Sequence, residues 1–360
     1  MLSVRRWSVV AGGVAALVAL PAAIGALPVR QSSIAAADLL ARIRHSTGQA
    51  YSGYAESYGG LALPVTRQFN RVADLFGQTT QMRVWYRGRY DWRVDTITAA
   101  GETDLHVGRA GTWTWDYESN TATWMGGVVD PAVRLPTAGD LLPTNLARRL
   151  LSEATPDQVR QLPAKRLAGR SAPGLRLTPH EQDSTVEHVD VWADQGTGLP
   201  LRVDVFASGT TVMSSRFLDF STHEPSARDT TFIQPAGARL ETEDQVDVAA
   251  ELDQFGDVTP PPSLAGVPRN PQLPAFGSIG IYGSGVTEFA AAPLPGRIAF
   301  SLQYQLESTA AKTKYGLAVA IGPLSMLLTK FDLTGGAWLL TGTVTQAALA
   351  RAAAQLIGPR

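Results

Sequence analysis

At 360 residues, with a formal net charge of −1 and a pI near 6.5, the chain is long enough for two hydrophobic cores and has no global charge to draw it to nucleic acid. It contains no cysteine, which excludes disulfides, a thiolate metal site, an iron–sulfur cluster and a cysteine nucleophile together.

Arg5 and Arg6 precede an uncharged run from Trp7 to Val29, long enough as a helix to cross about 30 Å of hydrocarbon. The arginines should stay in the cytoplasm and the remainder outside. A cleaved signal peptide is the rival reading: Trp7 to Leu20 would be its apolar core, Pro21 its break and Ala23-Ile24-Gly25 its cleavage site. Either reading exports the rest of the chain.

Ser33 is placed to cap a helix carrying Ala36, Leu39, Leu40 and Ile43 at helical spacing. From Tyr51 the period falls to two. Met82, Val84 and Tyr86 alternate with Arg83, Trp85 and Arg87, and after Gly88 the alternation resumes through Trp92 and Val94. Leu105 and Val107 lead into Trp113, Trp115 and Tyr117, and Ser119-Asn120 turns the chain into Thr121 to Trp124. Short strands joined by Gly or Asn turns make a meander. Between Pro131 and Pro163 the sheet is interrupted by one short helix, capped by Thr144 or Asn145, and by a second cap-plus-proline signal at Thr155-Pro156.

The stretch Val189 to Phe206, VDVWADQGTGLPLRVDVF, reads as a hairpin. Val189, Val191 and Ala193, then Leu199, Leu201, Val203 and Val205, give it one apolar face, and the turn Gln195 to Gly198 supplies two glycines. Asp190 and Asp204 fall on the opposite, polar face, where solvated charge is expected. Another strand is expected at Phe217 to Phe220, and a turn-rich tail, Thr231 to Ala238, closes the first domain.

A linker of residues 241–274 follows, acidic to Asp257 and proline-rich from Pro260 to Pro274. Residues 275–360 read as a small α+β domain: strands near 277–285, 286–292, 317–321, 325–330 and 338–344, then a helix capped by Thr345 and ended by Gly358. The domain plan is therefore 1–30 anchor or signal peptide, 31–240, 241–274 linker and 275–360.

Catalytic signals are missing. The five histidines lack metal-ligand spacing, no G-x-S-x-G elbow is present, and GSIGIYGSG lacks the spacing of a dinucleotide loop. The chain is expected to bind rather than catalyse, with no cofactor and no metal. What stands out is the aromatic content of the strands, which suits either a core or a partly open apolar groove. The groove candidates, each taken from the more apolar face of its strand, are Met82, Val84, Tyr86, Trp92, Val94, Trp113, Trp115, Leu199, Leu201 and Val203.

The order helix ADLLARI, YSGYAES, a tryptophan-rich meander, the D-x-x-T-G-L-P-L-R-V turn, FLDFS and FIQPAGA resembles the N-terminal domain of the sigma-E regulatory protein family RseB/MucB and the related lipoprotein carrier LolA, over Ser33 to Ala238. PPSLAGVPR, IYGSGV and WLLTGTVTQAAL fit the two-domain RseB arrangement more loosely. The resemblance implies an α+β fold: an unclosed antiparallel β-barrel curled around helices, followed by a small C-terminal α+β domain. It also implies an extracytoplasmic protein that binds the extracytoplasmic region of an anti-sigma factor, with lipid or acyl chains as a further ligand. The alternative is a lipid or lipoprotein carrier of the LolA type; a structural envelope protein whose groove is filled by its own helices is the third reading. No functional residue of the family is matched individually.

Overall fold

The computed structural model describes residues 33–59, 77, 79–98, 101–127, 136–243, 258–271, 278–331 and 336–358. The anchor or signal segment lies outside them. No described helix is long and apolar enough to cross a membrane.

The first helix, α1 (Ala36–His45), buries Leu39, Leu40 and Ile43 on one stripe, each contributing about 2 kcal/mol by leaving water. Asp38 in its first turn and Arg42, Arg44 and His45 in its last complement the helix dipole. Ser33 is not the cap: Ala35 holds that position and makes no side-chain cap bond. The helix is fixed at its other end, where the Arg44 guanidinium donates to the Leu151 carbonyl from Nε at 3.0 Å and Nη2 at 2.7 Å. Leu151 ends the second helix, α2 (Pro143–Leu150), which opens on a proline whose absent N–H is no loss there. Thr144 lies inside α2 rather than capping it, and shares a 2.7 Å hydrogen bond with the Tyr51 hydroxyl.

Both helices lie on one sheet of twelve strands: β1 (Tyr51–Gly59), β2 (Thr79–Gly88), β3 (Asp91–Thr98), β4 (Gly101–Val107), β5 (Gly111–Asp116), β6 (Thr121–Gly126), β7 (Val159–Leu167), β8 (Arg170–Leu177), β9 (His188–Ala193), β10 (Pro200–Ala207), β11 (Thr210–Ser221) and β12 (Arg239–Glu243). Their spatial order is β12-β6-β5-β4-β3-β2-β1-β11-β10-β9-β8-β7. Every neighbouring pair is antiparallel except β12, which runs parallel to β6. Since β12 and β7 do not pair, the barrel is unclosed.

The β9–β10 hairpin has the expected register, and Val189, Val191, Ala193, Leu199, Leu201 and Val203 are all fully buried against the helices. Its turn explains the D-x-x-T-G pattern. Asp194 Oδ2 accepts from the Thr197 amide at 2.9 Å and from its hydroxyl at 2.8 Å, and Gly198 sits at φ +73°. A Cβ there would come within 2.9 Å of the Arg42 carbonyl, so the glycine is what lets α1 lie against the turn. Asp190 and Asp204 are buried rather than solvated. They stand opposite each other in the register, and Arg176 and Arg202 pair with them, supplying the charge that burial requires.

A second, all-antiparallel sheet has the order β15-β16-β20-β19-β18-β17, from β15 (Gly280–Ser284), β16 (Thr287–Leu294), β17 (Ala311–Lys312), β18 (Gly316–Ile321), β19 (Leu324–Thr329) and β20 (Ala337–Gly342). Two more strands, β13 (Ser263–Leu264) and β14 (Val267–Pro268), form a small hairpin, and the remaining α-helices among the described residues are α3 (Ala227–Thr230), α4 (Gly296–Leu306) and α5 (Gln346–Ile357). Helix α5, capped by Thr345 as its sequence indicates, packs Leu349, Ala352 and Ala353 on Phe289, Leu327 and Leu340. Helix α4 covers the other face with Ala299 and Leu306.

Part of the expected linker belongs to this unit. Leu264 is buried in its core, the Tyr282 hydroxyl donates to the Pro261 carbonyl at 2.8 Å, and Asn270 N donates to the Ile281 carbonyl at 2.8 Å. The segment from Pro260 to Asn270 is thus strapped to the small sheet.

The two sheets meet along a polar seam. Ser184 and Val344 form a β-bridge, Thr345 N donates to the Asp183 carbonyl at 2.8 Å, and the Asp183 carboxylate takes both the Thr345 hydroxyl at 3.0 Å and the Arg351 guanidinium. Gly285 N donates to Glu153 at 2.8 Å, while Val286 enters the larger core.

Candidate binding site

The inner face of the large sheet, the one beneath α1 and α2, contains most of the residues that sequence reasoning selected. Met82, Val84, Val94, Leu199, Leu201 and Val203 are at most 1% exposed and belong to one hydrophobic core. Tyr86 stacks on Tyr51 with centroids 5.1 Å apart and donates to the Thr47 carbonyl at 2.9 Å. Trp92 is half-buried at the margin of that core, its indole N–H donating to the Arg89 carbonyl at 3.2 Å.

Trp113 and Trp115 are on the other face. The register sets His106 opposite Trp113 and Asp104 opposite Trp115, so both tryptophans share the side of the odd-face neighbours Arg93 and Asp95. There Trp113 stacks on Phe232 at 4.7 Å and packs beside Trp124 at 4.9 Å, and His106 Nδ1 bonds the Thr230 carbonyl at 2.9 Å. The chain after β11 therefore covers the outer face of β4–β6.

The inner face does not end with the core. None of the core residues comes from β4, β5 or β6, although the ladder continues through them. Val94 stands opposite Leu105, Leu105 opposite Thr114 and Thr114 opposite Thr123; a parallel row runs Trp92, Val107, Thr112, Met125. All but Val94 are half-buried. Helix α1 packs mainly on β7 and β8, and α2 on β10 and β11. Beyond β3 the described residues thus leave an apron of sheet about three strands wide, lined by Leu105, Val107 and Met125 among threonine hydroxyls. Sequence reasoning missed it because the tryptophans of β5 drew attention to the wrong parity; the alternate threonines, Thr112, Thr114 and Thr123, were the available signal.

On the outer face two carboxylates are forced together. Asp95 and Asp104 are directly opposed in the register and both buried, with Arg93 between them: its guanidinium donates to Asp95 at 2.5 and 2.9 Å and to Asp104 at 2.8 Å. Glu102 brings a third carboxylate oxygen within 4.8 Å. Arg93 already holds the position where a cation would sit. Burial, and then the Asp95 charge, pushes the Asp104 carboxyl up to about 7.

A native pKa above the ordinary carboxylate value of 3.8 means that the folded protein holds a proton the unfolded chain has released, so stability should fall as pH rises from about 4 to about 7 and level off above. Asp104→Asn is expected to flatten that slope and to raise stability at pH 8 by on the order of 1–3 kcal/mol. Thermal unfolding at pH 5 and pH 8 tests this; equal slopes for variant and wild type would contradict it.

A cavity of about 200 Å³ lies at the seam, lined by Leu150, Glu153, Glu181, Ser284 and Val286 among others. Its two carboxylates are engaged by the partner sheet: Glu153 accepts from Gly285 N, and Glu181 from the Thr287 hydroxyl at 3.3 Å. It is a gap in the seam, too small for a drug-sized ligand.

No family model and no curated protein matches the chain. Among solved structures, it aligns with MucB in complex with MucA(peri) at 17% identity, over 88% of this chain and 97% of that one, with a TM-score of 0.48. The MucA/MucB complex of Pseudomonas aeruginosa gives 18% identity, 88% and 96% coverage and a TM-score of 0.48. The chain is similar to MucB. It is also similar, over 56% of its length and 99% of the other, to a LolA superfamily protein from Nitrosomonas europaea, at 12% identity and a TM-score of 0.25.

Proposed function

We propose that the chain is an extracytoplasmic, membrane-associated binding protein that holds the extracytoplasmic region of an anti-sigma factor and thereby tunes release of an extracytoplasmic-function sigma factor. The partner class comes from the sequence resemblance to the RseB/MucB family. The observation that carries the binding role is the apron: the sheet's inner face continues past the end of the hydrophobic core over β4–β6. Residues 31–240 would be the ligand-holding domain and 275–360 a second domain docked through the Asp183 and Glu153 contacts.

Composition of the apron favours a peptide over an acyl chain. Thr112, Thr114 and Thr123 present hydroxyls beside Leu105 and Val107; a peptide can satisfy those hydroxyls, whereas acyl chains would leave them desolvated and unpaired. The carrier reading is therefore second. Lipid would regulate partner binding only through a difference in its affinity for the free and partner-bound states.

Affinity capture of the full-length chain from gently solubilised source membranes tests the reading. Wild type should recover a single-pass protein with a cytoplasmic sigma-binding domain, and Leu105→Asp should not. Stoichiometric lipid or lipoprotein with no such partner would overturn it in favour of the carrier.

A further inference from the structure

Helix α4 has two unlike faces. Ala299 and Leu306 are buried with Leu328 and Ala337, while Phe300 is 67% and Tyr304 77% exposed, one helical turn apart. Ile298 on the same helix and Phe331 after β19 add to the exposed apolar surface. Large aromatics left in water side by side mark a contact surface more often than chance exposure does.

Arg297 lies on the same stripe of α4, three residues before Phe300 and seven before Tyr304, and three lysines stand elsewhere on the small sheet. Arg297, Lys312, Lys314 and Lys330 are all exposed, and none makes an ion pair among the described residues. Residues 288–332 contain these four cations and three acids, Glu288, Glu307 and Asp332, of which Glu288 is bonded to Asn270. The fold gathers the cations at one end of the small sheet. Lys330 N donates to the Tyr315 carbonyl at 2.8 Å, Lys314 Nζ lies 4.7 Å from the Tyr315 ring centre, and Trp338 N donates to Thr329 at 2.8 Å. Leu294, which leads into α4, pairs with Ala337 at that same end.

We infer that this face of the small sheet, centred on Phe300 and Tyr304, docks on an anionic lipid surface. Aromatics at the headgroup level with lysines and arginines beside them are the composition such a surface selects. Chain length supports the choice of occupant. The uncharged Trp7–Val29 run ends six residues before α1, and residues 30–35 reach at most about 20 Å. A chain held at the bilayer by that run meets a second, weak lipid contact at high effective concentration, so a few side chains suffice. The contact would fix how the small sheet faces the membrane, independently of what occupies the apron.

The absence of cysteine supplies the probe, because one introduced thiol can be labelled uniquely. Ser301→Cys on α4 carries an environment-sensitive fluorophore, and the full-length chain is reconstituted into phosphatidylcholine vesicles with or without phosphatidylglycerol. With phosphatidylglycerol the label should shift to the blue and be quenched by nitroxide-bearing acyl chains. The response should be about tenfold weaker in neutral vesicles and should fall with added salt. Phe300→Ser combined with Tyr304→Ser should abolish it, and Lys312→Gln with Lys314→Gln, at exposed positions that leave the fold intact, should weaken it. A label at Ser208→Cys, in the β10–β11 turn of the large sheet, should stay silent. No response at position 301, a response indifferent to lipid charge, or protection only on addition of an acidic protein partner would each overturn the inference. The hydrophobic N-terminal run is the same in every sample, so differences between them report the patch.

Discussion

Leu201→Asp is expected to abolish folding, not merely binding. Leu201 is 0% exposed between α2 and the sheet, in the core shared by Val191, Val203 and Leu175. Removing its side chain costs about 2–5 kcal/mol through the cavity alone, and an unpaired buried carboxylate adds several more. The total is comparable to the whole stability of an ordinary domain. Far-ultraviolet circular dichroism and thermal unfolding would show an unfolded or aggregated chain. A folded variant that had lost only a ligand would mean that the inner face beneath the helices opens, against the packing seen.

The opposite outcome is expected one ladder away. Leu105→Asp combined with Thr114→Asp places two carboxylates on the apron, where the residues are half-buried and no core contact is lost. The two carboxylates face each other in the register and repel, but both reach water, so stability should fall by only about 1–2 kcal/mol. Affinity for the protein partner should fall by about a hundredfold or more, since an apolar segment laid on the apron would have to desolvate them. Titration of the captured partner onto wild type and variant, alongside their melting curves, separates the two effects. Unchanged affinity would remove the apron from the binding surface.

These two variants mark how far the sequence could be read. The alternation of Val189 to Phe206 gave the hairpin and its buried face, and Thr345 with Leu349, Ala352 and Ala353 gave α5, because in each the pattern repeats over a whole element bounded by turn or cap residues. Strand β12 left no such trace. Its sequence, RLETE, is exposed at every position, and it exists through backbone pairing with β6, which no side-chain period reports. Asp190 and Asp204 looked like solvated charge since a strand's polar face usually is; only the fold shows that Arg176 and Arg202 cover them.

The candidate site was harder to read for a related reason. Period two assigns residues to one of two faces, yet it cannot say which face of a given strand continues the core of its neighbour. In β2 and β3 the apolar set, Met82, Val84 and Val94, was inner; in β5 the largest apolar side chains, Trp113 and Trp115, were outer, where Phe232 and the chain after β11 cover that side. Register across four strands decides the matter, and register is a property of the ladder. The apron was invisible for the same cause, its threonines being neither apolar enough to suggest a groove nor charged enough to suggest a surface.

Site-specific photocrosslinking shows directly what the apron holds. A photoreactive amino acid at Thr114, on the apron, and one at Tyr117, exposed beyond the end of β5, would be placed in the full-length chain and irradiated in intact envelopes. Adducts are expected at position 114, and not at 117, to the extracytoplasmic segment of a single-pass protein with a cytoplasmic sigma-binding domain. Lipid adducts alone at 114, or a protein adduct confined to 117, would contradict the apron's binding role.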